Sequence, residues 1–215
     1  MDKTYLSHSL QECNIGVGQY GTEMDRMRQV AKAAKERLEA HGVAARLPSR
    51  SWAYLDPDAT LYRVVKDSND WGADLHICIH SNALGPSACG TLTMYMPAST
   101  KGRRIASLIQ KHVAPISPGS DIGLVTSPVF YETRNAKAPV AYLELAFHTN
   151  YADAQSVIDH HKAYGYAVAD ACLAYFGIPL EPLLPPKTVV LPVPVVKPPW
   201  WTKMRTWLRL WKRRH

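Results

Sequence analysis

The chain has 215 residues, 47% of them hydrophobic, which suits one domain of ordinary size with a sizeable core and an appendage. Its formal charge of +7 is uneven: from Lys187 onward there are eight Lys/Arg and no acid, so the rest of the chain holds 17 of the 25 basic residues and all 18 acidic ones. The body is therefore near neutral, no run is long enough to span a bilayer, and the excess charge points to a tail that meets an anionic surface such as a membrane, a wall polymer or nucleic acid.

Met1-Asp2-Lys3-Thr4 leads directly into a short strand over Thr4–Ser7. No apolar stretch of the roughly 7–15 residues that a secretory signal requires opens the chain, which predicts synthesis in the cytoplasm and export, if any, by another route. A Gly-rich loop follows, Asn14-Ile15-Gly16-Val17-Gly18-Gln19-Tyr20-Gly21. Thr22 reads as an N-cap with Glu23 in the first turn. Met24 to His41 has helical periodicity, with Met27, Val30, Ala31, Ala34 and Leu38 on one face and Gly42 as the stop. A strand is predicted over Val43–Leu47, and a helix near Ala59–Asp70 after a loop with Pro48 and Pro57. Strands follow at Asp74–His80 and Gly90–Met96, then a helix over Thr100–Val113. Residues 115–123 read as a Pro/Gly/Ser loop. Val140–Phe147 is almost continuously apolar, as expected of a central buried strand, and Tyr151 to Phe176 reads as mostly helical. Alternating strands and helices predict an α/β sandwich around a mixed, mainly parallel sheet. Of the four cysteines, Cys78 and Cys172 fall in apolar runs and read as core thiols. There is no Cys-x-x-Cys pair, so reduced thiols are expected.

The catalytic-domain candidate spans residues 1–178. Residues 179–199 contain eight prolines, which favours an extended spacer. In residues 200–215, Trp200, Trp201, Met204, Trp207, Leu208 and Trp211 fall within about 120° of a helical wheel. Lys203, Arg205, Arg209, Lys212, Arg213 and Arg214 take most of the remainder. The segment reads as a cationic amphipathic helix for an anionic membrane or envelope surface, with tryptophans at the headgroup boundary. Nucleic acid is supported by charge alone. The competing expectation is a terminal helix docked on the domain.

Three places concentrate ionisable residues at the mouths of strands: His8 with Glu23 fifteen residues on, Asp74 to Ala83 with His76 and His80, and Tyr142 to Asn150 with Glu144 and His148. Ligands gather outside the carboxyl ends of strands in α/β sheets. A His–Glu–His set suits catalytic zinc, with three protein ligands and an open fourth position, and a further carboxylate would serve as base. His76 and His80 lie roughly 13 Å apart on a regular strand at about 3.3 Å per residue, so they cannot share one metal. His80, at the strand end, is the better ligand, and His76 reads as a satisfied structural histidine. Glu144 inside an apolar strand is costly unless paired, bound or catalytic.

These residues resemble a known family. Tyr5-Leu-Ser, Gln11, Asn14-Ile-Gly-Val-Gly, Tyr20-Gly-Thr-Glu23, His80-Ser-Asn-Ala, Gly90-Thr and Glu144-Leu-Ala-Phe-His-Thr-Asn150 are together similar to the zinc-dependent N-acetylmuramoyl-L-alanine amidases of the Amidase_3 type, which include phage endolysins and bacterial autolysins. The resemblance covers roughly residues 3–177. It implies a sheet of six strands, one Zn²⁺ held by His, Glu and His, and a late-strand glutamate as base, roles that carry onto Glu23, His80 and Glu144. Many members have Gly-His-Gly after the first strand where this chain has Ser7-His8-Ser9. His8 is thus the first choice for the remaining ligand, with Cys13 as the alternative because some relatives place a histidine near that point. Asn82 is a candidate to bind substrate or steady its loop, and His148 to line the site or cap a turn rather than to bind metal. The implied activity is hydrolysis of the amide between N-acetylmuramic acid and L-alanine in peptidoglycan. With no leader read at the start, an endolysin that acts on the wall after release is the expected setting. The rival expectations are a non-catalytic wall-binding module and a zinc hydrolase of another amide or peptide.

Overall fold

A computed structural model describes residues 1–180. The cationic segment read above at Trp200–His215, and all of the proline-rich spacer beyond Leu180, lie outside the described residues. The order of elements is β1 (Lys3–His8), α1 (Glu23–Ala40), β2 (Ala44–Arg46), α2 (Pro57–Trp71), β3 (Leu75–Asn82), β4 (Gly90–Tyr95), α3 (Thr100–Val113), β5 (Ser120–Thr126), α4 (Tyr131–Asn135), β6 (Val140–Phe147) and α5 (Tyr151–Phe176). The six strands form one sheet in the order β2-β1-β3-β6-β4-β5. Only the β4–β6 pair is antiparallel, so the sheet is mixed and mainly parallel, as the sequence predicts.

Local chemistry sets the ends of these elements. The Thr22 hydroxyl accepts from the Asp25 N–H and starts α1, and Gly42, at φ 77°, takes the left-handed turn beyond its end. Asp56 caps α2 and Pro57 occupies its first turn, so this helix begins earlier than the apolar periodicity indicates. Asn150 caps α5 through the Asp153 N–H, which places the C-terminal end of β6 three residues from a helix start.

Strand alternation divides the sheet into two unlike faces. Leu6, Ile77, Ile79, Leu143 and Leu145 point to one side and pack with Met27, Val30 and Leu38 of α1, Ile105 and Ile109 of α3, and Val157 and Val168 of α5. Helix α5 approaches α1 closely at Gly165, where a Cβ would stand 2.5 Å from the Val30 carbonyl oxygen. The other face carries Tyr5, Ser7, His76, Cys78, His80, Tyr142 and Glu144. There α2 and α4 contribute polar partners: Asp67 accepts from the Tyr5 hydroxyl, Ser68 pairs with His76, and Glu132 accepts from Ser7. The apolar face supplies the core, and the polar face runs up to the ends of β3 and β6.

Residues 115–123 are not wholly a loop. A short 3-10 turn at Ala114–Ile116 leads into β5, the edge strand beside β4. Thr91 pairs with Asp121 and Leu92 with Gly123, so Ile122 is an inserted residue, and Gly123 takes φ 90° at the resulting bulge. Only Ile122 of this strand is buried, which explains why its hydrophobic pattern is weak. Helix α4, five residues long, has no periodicity from which to be read.

Candidate metal centre and active site

The ends of β3 and β6 and the start of α1 bring Glu23, His80 and Glu144 together. His80 and Glu144 are register partners in the parallel β3–β6 pair, so both side chains leave the same face. Glu23 begins α1 and reaches over the sheet edge, its Oε1 3.0 Å from His80 Nδ1. The same oxygen accepts from the Ser81 N–H at 3.1 Å, and Oε2 accepts from Asn14 Nδ2 at 2.7 Å. Glu23 is 1% exposed and His80 8%. Tyr142 stacks on the His80 ring, and Phe130 stacks on Tyr142, which fixes the imidazole plane. Ser81 joins the Tyr20 hydroxyl, which donates to its Oγ at 2.8 Å, with His148 Nδ1 at 2.9 Å. His148 thus lines the rear of this cluster. Asn82 accepts from the Ala83 N–H through its side chain and from the His148 N–H through its backbone carbonyl, so its visible contacts steady the loop.

The donor set suits a divalent cation. Tetrahedral zinc with N and O ligands at its usual bond lengths keeps the ligand atoms about 3.3 Å apart, close to the spacing of His80 Nδ1 and Glu23 Oε1. Glu144 Oε2 is buried and has no hydrogen-bond partner among the described residues. Such an atom is costly unless a ligand, ion or proton serves it.

A second buried cluster lies deeper on the same face. The ligating atoms of His76, Cys78 and Glu132 all lie within 4.8 Å of one another, which is a possible metal site. Its groups already satisfy each other, however: His76 pairs through Nδ1 with Ser68 Oγ and through Nε2 with Glu132 Oε2, both at 2.8 Å, and Glu132 also accepts from Ser7 Oγ. Tyr5 stacks on the His76 ring. His76 is thereby a satisfied histidine on a structural network. Glu132 and Ser7 are its partners from distant elements, and no sequence spacing signals them.

His8 and Cys13 take different places. His8 pairs with Ile79 in the β1–β3 register, which directs it to the face opposite His80. Its Nδ1 contacts the Ser9 carbonyl oxygen at 2.8 Å and its Nε2 contacts Arg28 Nη1 at 3.1 Å. Burial, with the Arg28 charge adding to it, lowers its pKa to about 4. Cys13 is exposed in the loop after β1. His8, Cys13 and His80 all line a cavity of about 340 Å³ walled by Leu10, Leu55 and Leu61.

Charge couples the central groups. Burial opposes a proton on His80, but the hydrogen bond and charge of Glu23 outweigh it and raise the pKa to about 9. Burial likewise opposes ionisation of Glu23, yet His80, Asn14 and the Ser81 N–H hold it below the usual carboxylate value. Glu144 is raised to about 8, chiefly by burial, with Glu23 adding repulsion and His80 opposing. The protonated forms of His80 and Glu144 therefore stabilise the metal-free fold. That stability is fully present below 6.5 and 4.5 respectively, and is lost as pH rises through about 9 and about 8. Glu23 acts in the opposite sense, its contribution being lost only as pH falls below 4.5. Chelator-treated protein is expected to lose at least about 2 °C of thermal midpoint between pH 6.5 and 9. Melting curves across that window check this, and a flat or rising midpoint would contradict it.

A family model described as N-acetylmuramoyl-L-alanine amidase, Amidase_3, matches residues 11–173. Among solved structures, the chain is similar to the catalytic domain of CwlV, an N-acetylmuramoyl-L-alanine amidase from Bacillus (Paenibacillus) polymyxa var. colistinus, with a TM-score of 0.73 and 19% identity over 83% of this chain and 100% of that one. It is also similar to the N-acetylmuramoyl-L-alanine amidase AmiC2 of Nostoc punctiforme, with a TM-score of 0.71 and 18% identity over 82% and 97%. The catalytic domain of the CD27L endolysin targeting Clostridia difficile matches with a TM-score of 0.69 and 17% identity over 81% and 98%. At these identities the likeness is one of fold. No curated protein matches the chain.

Proposed function

The chain belongs to the N-acetylmuramoyl-L-alanine amidase family, and from that premise we propose that it hydrolyses the amide between the lactyl group of N-acetylmuramic acid and L-alanine of the stem peptide, using zinc held at Glu23 and His80 and Glu144 as the base. The observation that carries this reading is the buried, partnerless Glu144 Oε2 beside the Glu23–His80 pair. A carboxylate placed so is poorly explained as scaffold and well explained as a proton acceptor.

Zinc, when bound, supplies Lewis acidity, lowering the pKa of water and polarising an amide carbonyl. The chain's own groups do the rest. Glu144 takes a proton from the attacking water and returns it to the leaving nitrogen of L-alanine. Burial already brings its pKa to about 8, near the range in which one group can both accept and donate. Tyr142 and Phe130 hold the His80 ring, and Asn14 with the Ser81 N–H holds the Glu23 carboxylate. Purified sacculi incubated with the protein should release new amino termini, and end-group labelling should find alanine at them. New termini belonging to another stem-peptide residue would instead favour hydrolysis of a different amide.

An endolysin role joins this domain to the cationic tail. We assign that tail, from Trp200 to Arg214, to anionic membrane or outer-envelope binding on its sequence, which interleaves tryptophan with Lys and Arg and contains no acid. Truncation near Pro182 should leave digestion of purified peptidoglycan intact and remove lysis of intact cells. Salt should weaken binding of the full-length protein to anionic vesicles without abolishing it, since screening over about 8–10 Å acts on charge and not on the tryptophan face. Equal vesicle binding by both forms would contradict the assignment.

A further inference from the structure

We propose that a cationic recess beside the candidate active site binds a free carboxylate on the stem peptide, so that the chain selects stems that keep this acid over stems in which it is amidated. The inference rests on the amidase reading above and names the form of that substrate which the site prefers.

The recess has a volume of about 400 Å³ and lies along the first turns of α1. Arg26, Arg28, Lys32 and Arg50 line it, with Asp25 as its one acid. Outside the tail the sequence holds 17 basic and 18 acidic residues, so four cations against one acid is a local departure from a balanced surface. Asp25 is already shared: its Oδ1 lies 2.9 Å from Arg50 Nη2, and its Oδ2 accepts from the Thr22 hydroxyl at 3.1 Å. Among the described residues, Arg26, Arg28 and Lys32 form no ion pair with a carboxylate. Arg26 donates to the Tyr20 and Gln19 carbonyl oxygens and to the Gln29 side chain, and Arg28 contacts the His8 ring. Such neutral partners satisfy N–H groups without cancelling charge. The Glu23 carboxylate is held by His80, Asn14 and the Ser81 N–H. Three cations therefore stand uncompensated in one concave place.

The recess adjoins the cavity at His80 by three routes. Arg28 Nη1 stands 3.1 Å from His8 Nε2, and His8 lines that cavity. The 3-10 turn Arg50–Tyr54 gives Arg50 to the recess and Ala53 to the cavity. Tyr20 lines the recess and donates its hydroxyl to Ser81, the neighbour of His80. A peptide that leaves the cavity past His8 or past the turn reaches these cations. Three of the four are arginines, whose planar fork matches the two oxygens of a carboxylate. Phosphate fits the same fork, but the substrate whose amide is cut can carry its own carboxylate on the residue next to L-alanine.

The test uses the full-length protein and two soluble muramoyl peptides that differ only in whether the α-carboxyl group of the second stem residue is free or amidated. The parent should hydrolyse the free acid with a kcat/KM at least about 10-fold above that of the amide, the scale of one charge-assisted hydrogen bond. The difference should lie in KM rather than kcat. Arg28→Gln and Lys32→Gln should each shrink that ratio, and the double variant should bring it near one. Lys32 is exposed, so its substitution does not disturb packing. Arg28→Lys should restore only part of the preference, since it keeps the charge and loses the fork. Calorimetric titration of Glu144→Gln protein adds a readout without turnover: the free acid should bind more tightly than the amide, and adding Arg28→Gln should narrow the gap. Equal kcat/KM and equal affinity for the two peptides in the parent would overturn the proposal while leaving the amidase reading intact. So would binding of a glycerol phosphate oligomer that depends on Arg28 and Lys32, with no discrimination between the peptides. A parent that releases alanine termini from neither peptide nor sacculi would overturn both.

Discussion

Glu144→Gln is expected to lower turnover on purified peptidoglycan by roughly 10²–10⁴-fold, the usual contribution of a positioned general base. The substitution keeps the shape of the side chain in a strand that is otherwise buried, so packing should survive. It removes only the ability to take a proton. Zinc content should be unchanged, because the proposed ligands Glu23 and His80 are untouched by the substitution. The variant also carries a signature that a structural residue would not. Part of the alkaline loss of stability in the metal-free protein comes from ionising Glu144 near pH 8, and that part should disappear with the carboxyl group. Near-parental turnover in a zinc-replete Glu144→Gln protein would move the base elsewhere.

His80→Ala should abolish both zinc binding and hydrolysis, and added zinc should not restore either. It also breaks a buried ion pair. Glu23, 1% exposed, would keep its charge without the imidazolium that compensates it. Removing one partner of such a pair typically costs about 3–5 kcal/mol, so the variant should unfold at clearly lower denaturant than the metal-free parent. His76→Ala offers the contrast. His76 is fully buried and paired with Glu132 and Ser68, so its loss should also destabilise the fold. Zinc should still bind, because the deeper network is already satisfied without it. Metal titration and denaturant melts on the two variants separate the roles. Loss of zinc from His76→Ala with retention in His80→Ala would place the metal at the His76–Cys78–Glu132 cluster instead.

Much of the candidate site was legible because its residues stand where α/β sheets expose chemistry. His80 and Glu144 each lie near the end of a strand, and Glu23 opens a helix behind a Thr cap, all visible as local patterns. Their convergence follows once β3 and β6 are adjacent and parallel. What could not be read depends on pairing between distant segments. Whether His8 faces His80 is decided by the β1–β3 register, and a one-residue shift would reverse it. Glu132 becomes a partner of His76 only because α4 packs beside α2, and a five-residue helix leaves no periodic trace. Strand β5 escaped for a related reason: an edge strand with a bulge and a single buried residue has almost no hydrophobic alternation. Asn14 and Ser81 sit inside motifs that drew notice, yet their task of holding the Glu23 carboxylate needs the closed loop to be seen.

The central claim is that water attacks the lactyl carbonyl of N-acetylmuramic acid and releases L-alanine as the free amine. Digestion of purified sacculi in water enriched with oxygen-18, followed by mass spectrometry of the separated glycan and peptide products, tests this directly. One heavy oxygen is expected in the lactyl carboxylate of the glycan product, with stem peptides that begin at unlabelled L-alanine. Heavy oxygen in a peptide carboxylate, with the lactyl–alanine bond still intact, would contradict it.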